Sequence, residues 1–402
     1  MKTSGLDVHK DSIFCAIYDG KSYGAVQEFD TFTNSIKQMG FYLHSEGVAR
    51  IAMESTGIYW IAVWNILEEM GFELILVNPF LIKQMPGRKS DVKYAQWIAK
   101  LLHKDLLRGS FVPDATVQKL RTYSRKYMKL QQQITRSLLK MDNILIMSGI
   151  RISSCVSNIG NKSVMKIIDS LIRGETDPCT LSAQVYGNRE NKRNGKLHEA
   201  LTGNMQEQHR ESLAMEKELH DLLVIQSERC LAKMEEICNE EFSEELALLR
   251  TLPGISLISA MIIIAETGAN MKAFENSGKI TGWAGLRPRN DESAGKYKST
   301  VITKGNKYLK SILVQTAWAA SRTKRSFFME KFNRLAMRKS RKKALIAIAR
   351  KMLVIIWNVL NEKSGYNPTL LPVYNPEKLT SKVRYHQREI ERIEQLISRK
   401  TA

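Results

Sequence analysis

The sequence predicts an α/β N-terminal domain joined to a long, mainly helical remainder. Three observations point there. Within the first 115 residues, short apolar runs of strand character alternate with helical patterns. From residue 116, Leu120, Tyr127, Ile134 and Met141 recur every seven residues. Beyond residue 245, apolar helical stretches are separated by Pro-Gly and Gly-containing polar turns. At 402 residues the chain is long enough for two or three domains with substantial cores. The expected divisions are 1–115 (α/β), 116–245 (helical, coiled-coil-like), 246–360 (mainly helical) and a charged tail, 361–402.

In the first division, residues 4–10 lead through the run 12–18 to a turn at Asp19–Gly20, which reads as a β-hairpin whose first strand carries Asp7. A second strand over 48–54 ends at Glu54. A helix through Tyr59–Met70 and a strand over 73–77 follow, giving a mixed sheet. Asp7 and Glu54 thus sit within or at the end of short apolar strands, where an uncompensated carboxylate is costly. They are either solvated strand ends or ligands of a cation. The stretch 87–102 reads as a helix with Ser90 as N-cap and Ala95, Ile98 and Leu102 as its apolar stripe. It carries Asp91, with Tyr94 one turn on.

The heptad-like run predicts a long helix, in a helical hairpin, an intermolecular coiled coil or an amphipathic helix packed on its own domain. Arg121, Arg125, Lys126, Lys129 and Arg136 crowd its polar face, as nucleic-acid contacts or as solvated charge. Residues 174–178 and 186–195 read as loops, and a rather acidic helix spans 205–238. The glutamates between Glu235 and Glu245 read as a solvated helix end.

After residue 245, Leu252-Pro253-Gly254-Ile255 is an apolar Pro-Gly turn feeding a helix that ends near Gly268. Helix-hairpin-helix elements present backbone N–H groups to phosphates with such turns. A polar stretch over 288–300 places Ser293 on a Ser-Ala-Gly-Lys loop, where Gly295 allows close backbone approach and Lys296 and Lys298 could hold a phosphate. Lys304, in Ile302–Leu309, and Arg325 add cations. Helices over 308–320 and 344–360 follow, with aromatics interleaved among cations at 321–343; the Phe side chains read as core and the cations as phosphate contacts.

The formal net charge of +20 points to an anionic polymer as partner. No run approaches about 20 apolar residues and no signal-peptide pattern opens the chain, against a membrane protein. Five scattered cysteines without a C-x-x-C pair suit a reducing cytoplasm better than a disulfide or zinc framework.

The order of motifs from Leu249 to Lys310 resembles the insertion-sequence transposases that pair a RuvC-like, RNase H-like DEDD domain with a serine nucleophile, the bridge-RNA-guided recombinases. The resemblance extends over most of the chain outside 361–402. It implies an RNase H-like N-terminal fold in which Asp7, Glu54 and Asp91 hold Mg²⁺, and a C-terminal domain whose Ser293 forms a covalent phosphoserine link to DNA. Gly254, Gly295, Lys296, Lys298, Lys304 and Arg325 would contact nucleic acid. The implied partners are donor and target DNA, a structured guide RNA and further copies of the chain, as a dimer or tetramer, in the bacterial cytoplasm near the nucleoid. The family pattern departs at Tyr94, where a second helical aspartate is expected; a phenol with a pKa near 10 is no anionic ligand at neutral pH. Two rivals follow: a metal-dependent, junction-resolvase-like nuclease in which Ser293 is an ordinary residue, and a nucleic-acid-binding copy weakened at Tyr94.

Overall fold

A computed structural model describes residues 1–54, 57–79, 90–185, 195–289, 291–293, 295–299, 301–370 and 376–401. The expected loop at 186–194 and the expected helix start at 87–89 fall outside these residues. The chain forms two compact units, Met1–Val112 and Pro113–Ala402.

In the first unit, β1 (Lys2–Val8), β2 (Ser12–Tyr18), β3 (Gln27–Asp30), β4 (Val48–Glu54) and β5 (Glu73–Val77) form one sheet in the order β3-β2-β1-β4-β5. β1 runs antiparallel to β2 and parallel to β4, and β4 runs parallel to β5. This is the mixed sheet that the sequence predicts; β3 is an added edge strand, mostly exposed and with too few apolar residues to register as a strand. Alternation along β1 sorts its side chains by face. Leu6 and Val8 join Ile13, Ile51 and Met53 in the core built with α1 (Thr33–Ser45) and α2 (Trp60–Glu69). Thr3, Gly5 and Asp7 point the other way, under α3 (Asp91–His103).

Contact between β1 and α3 is unusually close. Thr3 Oγ1 donates to the Ala99 carbonyl at 3.0 Å. A Cβ on Gly5 would lie 2.3 Å from the Ala95 carbonyl oxygen and 2.4 Å from the Ala99 nitrogen, so no side chain fits there. Ala52, Val77, Ile98 and Leu102 complete the packing on this side of the sheet. Ser90 caps α3 by accepting from the Lys93 N–H at 3.3 Å, as its position before the helix predicts.

The second unit is organised on a helical hairpin, α4 (Ala115–Met147) against α8 (Glu207–Glu241). Gln131 meets Ser227 and Ser137 meets Glu216, so the two run antiparallel. Of the arrangements open to the heptad run, the chain adopts the hairpin, and its seam is mixed. Leu120, Leu130 and Met141 are buried, but so are Ser124 and Ser137. Small α5 (Lys162–Ile172), α6 (Pro178–Ala183) and α7 (Lys196–Leu201) close an apolar cluster at the hairpin's far end. Then come α9 (Ser243–Arg250), the Pro253–Gly254 turn, α10 (Leu257–Thr267), α11 (Ser277–Trp283), strands β6 (Asp291–Ser293) and β7 (Lys296–Ser299), α12 (Lys307–Ala320), α13 (Phe327–Ala336), α14 (Arg341–Glu362) and α15 (Pro376–Thr401). Helix α14 is long and apolar enough to cross a membrane, yet its Ala344, Ile348, Met352, Leu353 and Ile356 are buried within this unit. Phe328 is fully buried as expected, whereas Phe327 and Phe332 are only half-buried.

Two charge readings need correction. Arg121 and Arg125 do not line an open polar face: Arg125 forks onto both carboxylate oxygens of Glu266 at 2.8 Å, and Arg121 donates to the Ala265 and Glu266 carbonyls at 2.9 and 2.7 Å. Glu266 is fully buried, which requires such partners. Among the acidic residues expected to be solvated, Glu245 is buried and bonded to Lys363.

Candidate metal centre and serine ribbon

Parallel pairing of β1 with β4 puts Asp7 and Glu54 at the same end of neighbouring strands, and strand alternation turns both toward α3. α3 begins there, with Asp91 in its first turn, held down on β1 by the Gly5 contact. The structure therefore brings Asp7 and Asp91 together. Ligand atoms of Asp7, His9 and Asp91 all lie within 4.8 Å of one another. His9 Nε2 sits 3.2 Å from Asp7 Oδ2 and 3.7 Å from Asp91 Oδ1. Glu54 stands at the flank of this trio, where it bears electrostatically on Asp7 while accepting the Tyr94 hydroxyl.

The environments of these groups differ. Asp7 is almost wholly buried and Asp91 largely open. Burial pushes the Asp7 carboxyl up from 3.8 to about 6; His9 works against this, and Asp91 and Glu54 add to it. Burial and the hydrogen bond to Glu54 hold the Tyr94 phenol well above its ordinary value, so Tyr94 is a neutral donor. In place of the expected second helical aspartate, α3 thus supplies a group that fixes one carboxylate of the site. Asp105, also on the α3 side, is committed to Arg50 at 2.9 Å.

These residues fit a divalent cation. A buried carboxyl with a raised pKa beside two further carboxylates is an excess of negative charge that one hard cation would neutralise, and oxygen donors suit Mg²⁺ or Mn²⁺. His9 is the residue that sequence reasoning missed. Its signal was available, since a residue two beyond Asp7 falls on the same face of an extended chain.

The serine stretch forms no open loop between helices, as the sequence suggests, but a two-stranded ribbon. Arg289 N–H donates to Val301 O at 3.0 Å and Thr303 N–H to Arg287 O at 2.9 Å, and Ser293 pairs with Lys296 across the turn. Gly295, at φ 75°, supplies the left-handed residue that so tight a turn needs. Ser293, Gly295 and Lys296 are exposed at the ribbon's tip. Lys298 lies in β7, Lys304 is exposed in the coil before α12, and Arg325 is exposed in a left-handed turn before α13. Gly254 is placed differently. A Cβ there would meet the backbone of α12 at 2.5 Å from Thr316 O, so the Pro-Gly turn is pressed against that helix. Asn306, which caps α12 by accepting from Tyr308 and Leu309, also donates to Glu266 at 2.6 Å.

Comparison with known proteins matches two stretches of the chain. Residues 4–147 match a transposase model for the DEDD domain of the IS110 type, and residues 246–332 match the model described as transposase IS116/IS110/IS902 family. A transposase for insertion sequence element IS1111A from Coxiella burnetii is 23% identical over 380 residues, 91% of each chain. A probable family 20 transposase from Pseudomonas aeruginosa is 22% identical over 325 residues, 79% of this chain and 86% of that one. Among solved structures, RuvC of Thermus thermophilus with a Holliday junction substrate matches 27% of this chain and 99% of that chain, at 12% identity and a TM-score of 0.23.

Proposed function

We propose, for a chain that belongs to the IS116/IS110/IS902 family of transposases, that it cuts and rejoins DNA at insertion-sequence ends with a divalent cation, Mg²⁺ being the expected one. The observation that carries this reading is the meeting of Asp7, His9 and Asp91, with Glu54 alongside. Asp7, Asp91 and Glu54 would hold the cation, which supplies Lewis-acid polarisation of a phosphodiester. Asp7 provides a charge fixed by the sheet, Asp91 one that solvent and DNA can reach, and Tyr94 keeps Glu54 in place. His9, between two carboxylates, holds or passes a proton at Nε2.

In the second unit this reading gives Ser293 the attacking oxygen. Its Oγ–P bond replaces the broken P–O bond; the hydroxyl proton is released and the leaving oxygen takes one up, so the bond energy is conserved for rejoining. Exposure of Ser293 beside Lys296 at a ribbon tip supports this role. Gly295, Lys296, Lys298, Lys304 and Arg325 are assigned to phosphate contact, while Gly254 serves the packing of the Pro-Gly turn on α12. The excess of 61 Lys and Arg over 41 Asp and Glu, without a base-reading motif, supports a guide RNA as the source of sequence choice; the division of the carboxylates and Ser293 between two units supports a composite site formed by a dimer or tetramer on DNA. A second reading, metal-only cleavage, rests on the carboxylate cluster alone, which falls within the residues that the DEDD-type transposase model matches.

Incubation with supercoiled donor and target DNA, Mg²⁺ and the co-expressed flanking RNA separates the two. A covalent protein–DNA adduct lost in Ser293→Ala, with cleavage lost in Asp7→Asn, is the expected result. Undiminished cleavage by Ser293→Ala would leave the metal-only nuclease.

A further inference from the structure

We propose that a cleft between the base of the ribbon and the start of α14 holds an unpaired stretch of single-stranded DNA, its phosphates on a cationic rim and a base on an apolar floor. The cleft encloses about 800 Å³, ample for a nucleotide. Leu286, Val301, Ile302 and Ile346 form the floor. Arg338, Lys342, Lys343 and Arg350 stand on the rim, and the lining holds no carboxylate. All four cations are exposed, and among the described residues none of them is in an ion pair.

Charge and floor select different things. Cations that close together repel unless a polyanion neutralises them, and any nucleic acid would serve. The floor is narrower in its choice. Val301 is 65% exposed beside those cations, an apolar surface that gains only from an apolar partner. In a duplex the base faces are stacked inward, whereas an unpaired strand can lay a base on aliphatic carbon while its phosphates reach the rim.

The ribbon makes DNA the source, a step that rests on the role proposed for Ser293. Leu286 and Ile302 belong to the base of the same ribbon that carries Ser293 at its tip. Ser293 stands five positions beyond Pro288, which is bridged to Ile302, a reach of at most about 17 Å for an extended chain. That is about five stacked nucleotides. A strand engaged at the tip would therefore run down the ribbon into the cleft.

The test is equilibrium binding of a fluorescent 12-mer of deoxythymidine to the full-length protein in chelator, so that no cutting is read. An abasic strand, a duplex and an RNA of equal length serve as competitors. The natural protein should bind the thymidine strand at least about tenfold more tightly than the abasic one. Lys342→Ala with Lys343→Ala should weaken both and reduce the salt slope by about 1.4. Val301→Ser, at a position too exposed for the core to depend on it, should erase the preference for bases and keep the slope; Ile346→Ser should do the same. Equal binding of the abasic strand, tighter binding of duplex or RNA, or a preference untouched by both floor variants would overturn the proposal. Failure of the adduct assay would leave these binding results standing, and the reverse also holds.

Discussion

Asp7 bears the electrostatic cost of the first unit. Its folded pKa of about 6 lies above the ordinary 3.8, so the stability linked to it is fully present below pH 4 and lost as pH rises through 6. The rise corresponds to about 3 kcal/mol at most. In chelator, the protein should lose stability over this window. Asp7→Asn, which has no charge to bury, should flatten the dependence and melt higher at pH 7.5. Adding Mg²⁺ should raise the melting temperature of the natural protein and leave the variant unmoved. A variant that melts lower at pH 7.5 in chelator would contradict this. Tyr94 offers a second residue-level test. Tyr94→Asp places a carboxylate one turn from Asp91, and calorimetric titration with Mn²⁺ should show affinity rising on the order of tenfold, about 1.4 kcal/mol. Unchanged affinity would mean that Asp7, Asp91 and Glu54 already complete the site.

Among the elements, the β1–α3 contact decides where the site forms. Gly5→Ala drives a methyl group into the backbone of α3, so a loss of about 1–3 kcal/mol is expected in urea unfolding. Because Asp91 rides on α3, cation affinity should fall with it. A variant that is destabilised but binds the cation normally would show that Asp91 is placed by its own loop. This contact was hidden in the sequence, where Ser4-Gly5-Leu6 reads only as the start of a strand. Strands β1, β2, β4 and β5 were legible, because apolar runs and the turn at Asp19–Gly20 are local signals, whereas the exposed β3 was not. Asp7, Glu54 and Asp91 could be named as carboxylates on suitable elements. Their convergence could not, since it depends on parallel pairing between β1 and β4 and on helix placement. The serine ribbon escaped for a related reason: its cross-strand pairs have little apolar alternation, and only Gly295 marks the turn.

For the whole molecule, net charge and the placement of single charges are separate matters. A net charge of +20 does not say which cations face outward. Arg121 and Arg125 occupy a helix face that looks solvated in one dimension, but Glu266, about 140 residues away in sequence, draws them inward. Glu266→Ala removes a fully buried carboxylate from two partly buried arginines, with the Arg125 side chain still 39% exposed, and should cost about 1–3 kcal/mol of unfolding free energy. A midpoint shift within error of zero would show that water replaces the carboxylate. The same ion cluster says how the chain can be divided. Both arginines precede the coil at Thr202–Asn204, and Glu266 and Asn306 follow it. A gene split at that coil would make two polypeptides, each with half of a charge cluster that neither can bury alone. Expressed together they should recombine into one soluble particle, so that transposition becomes conditional on the presence of both halves.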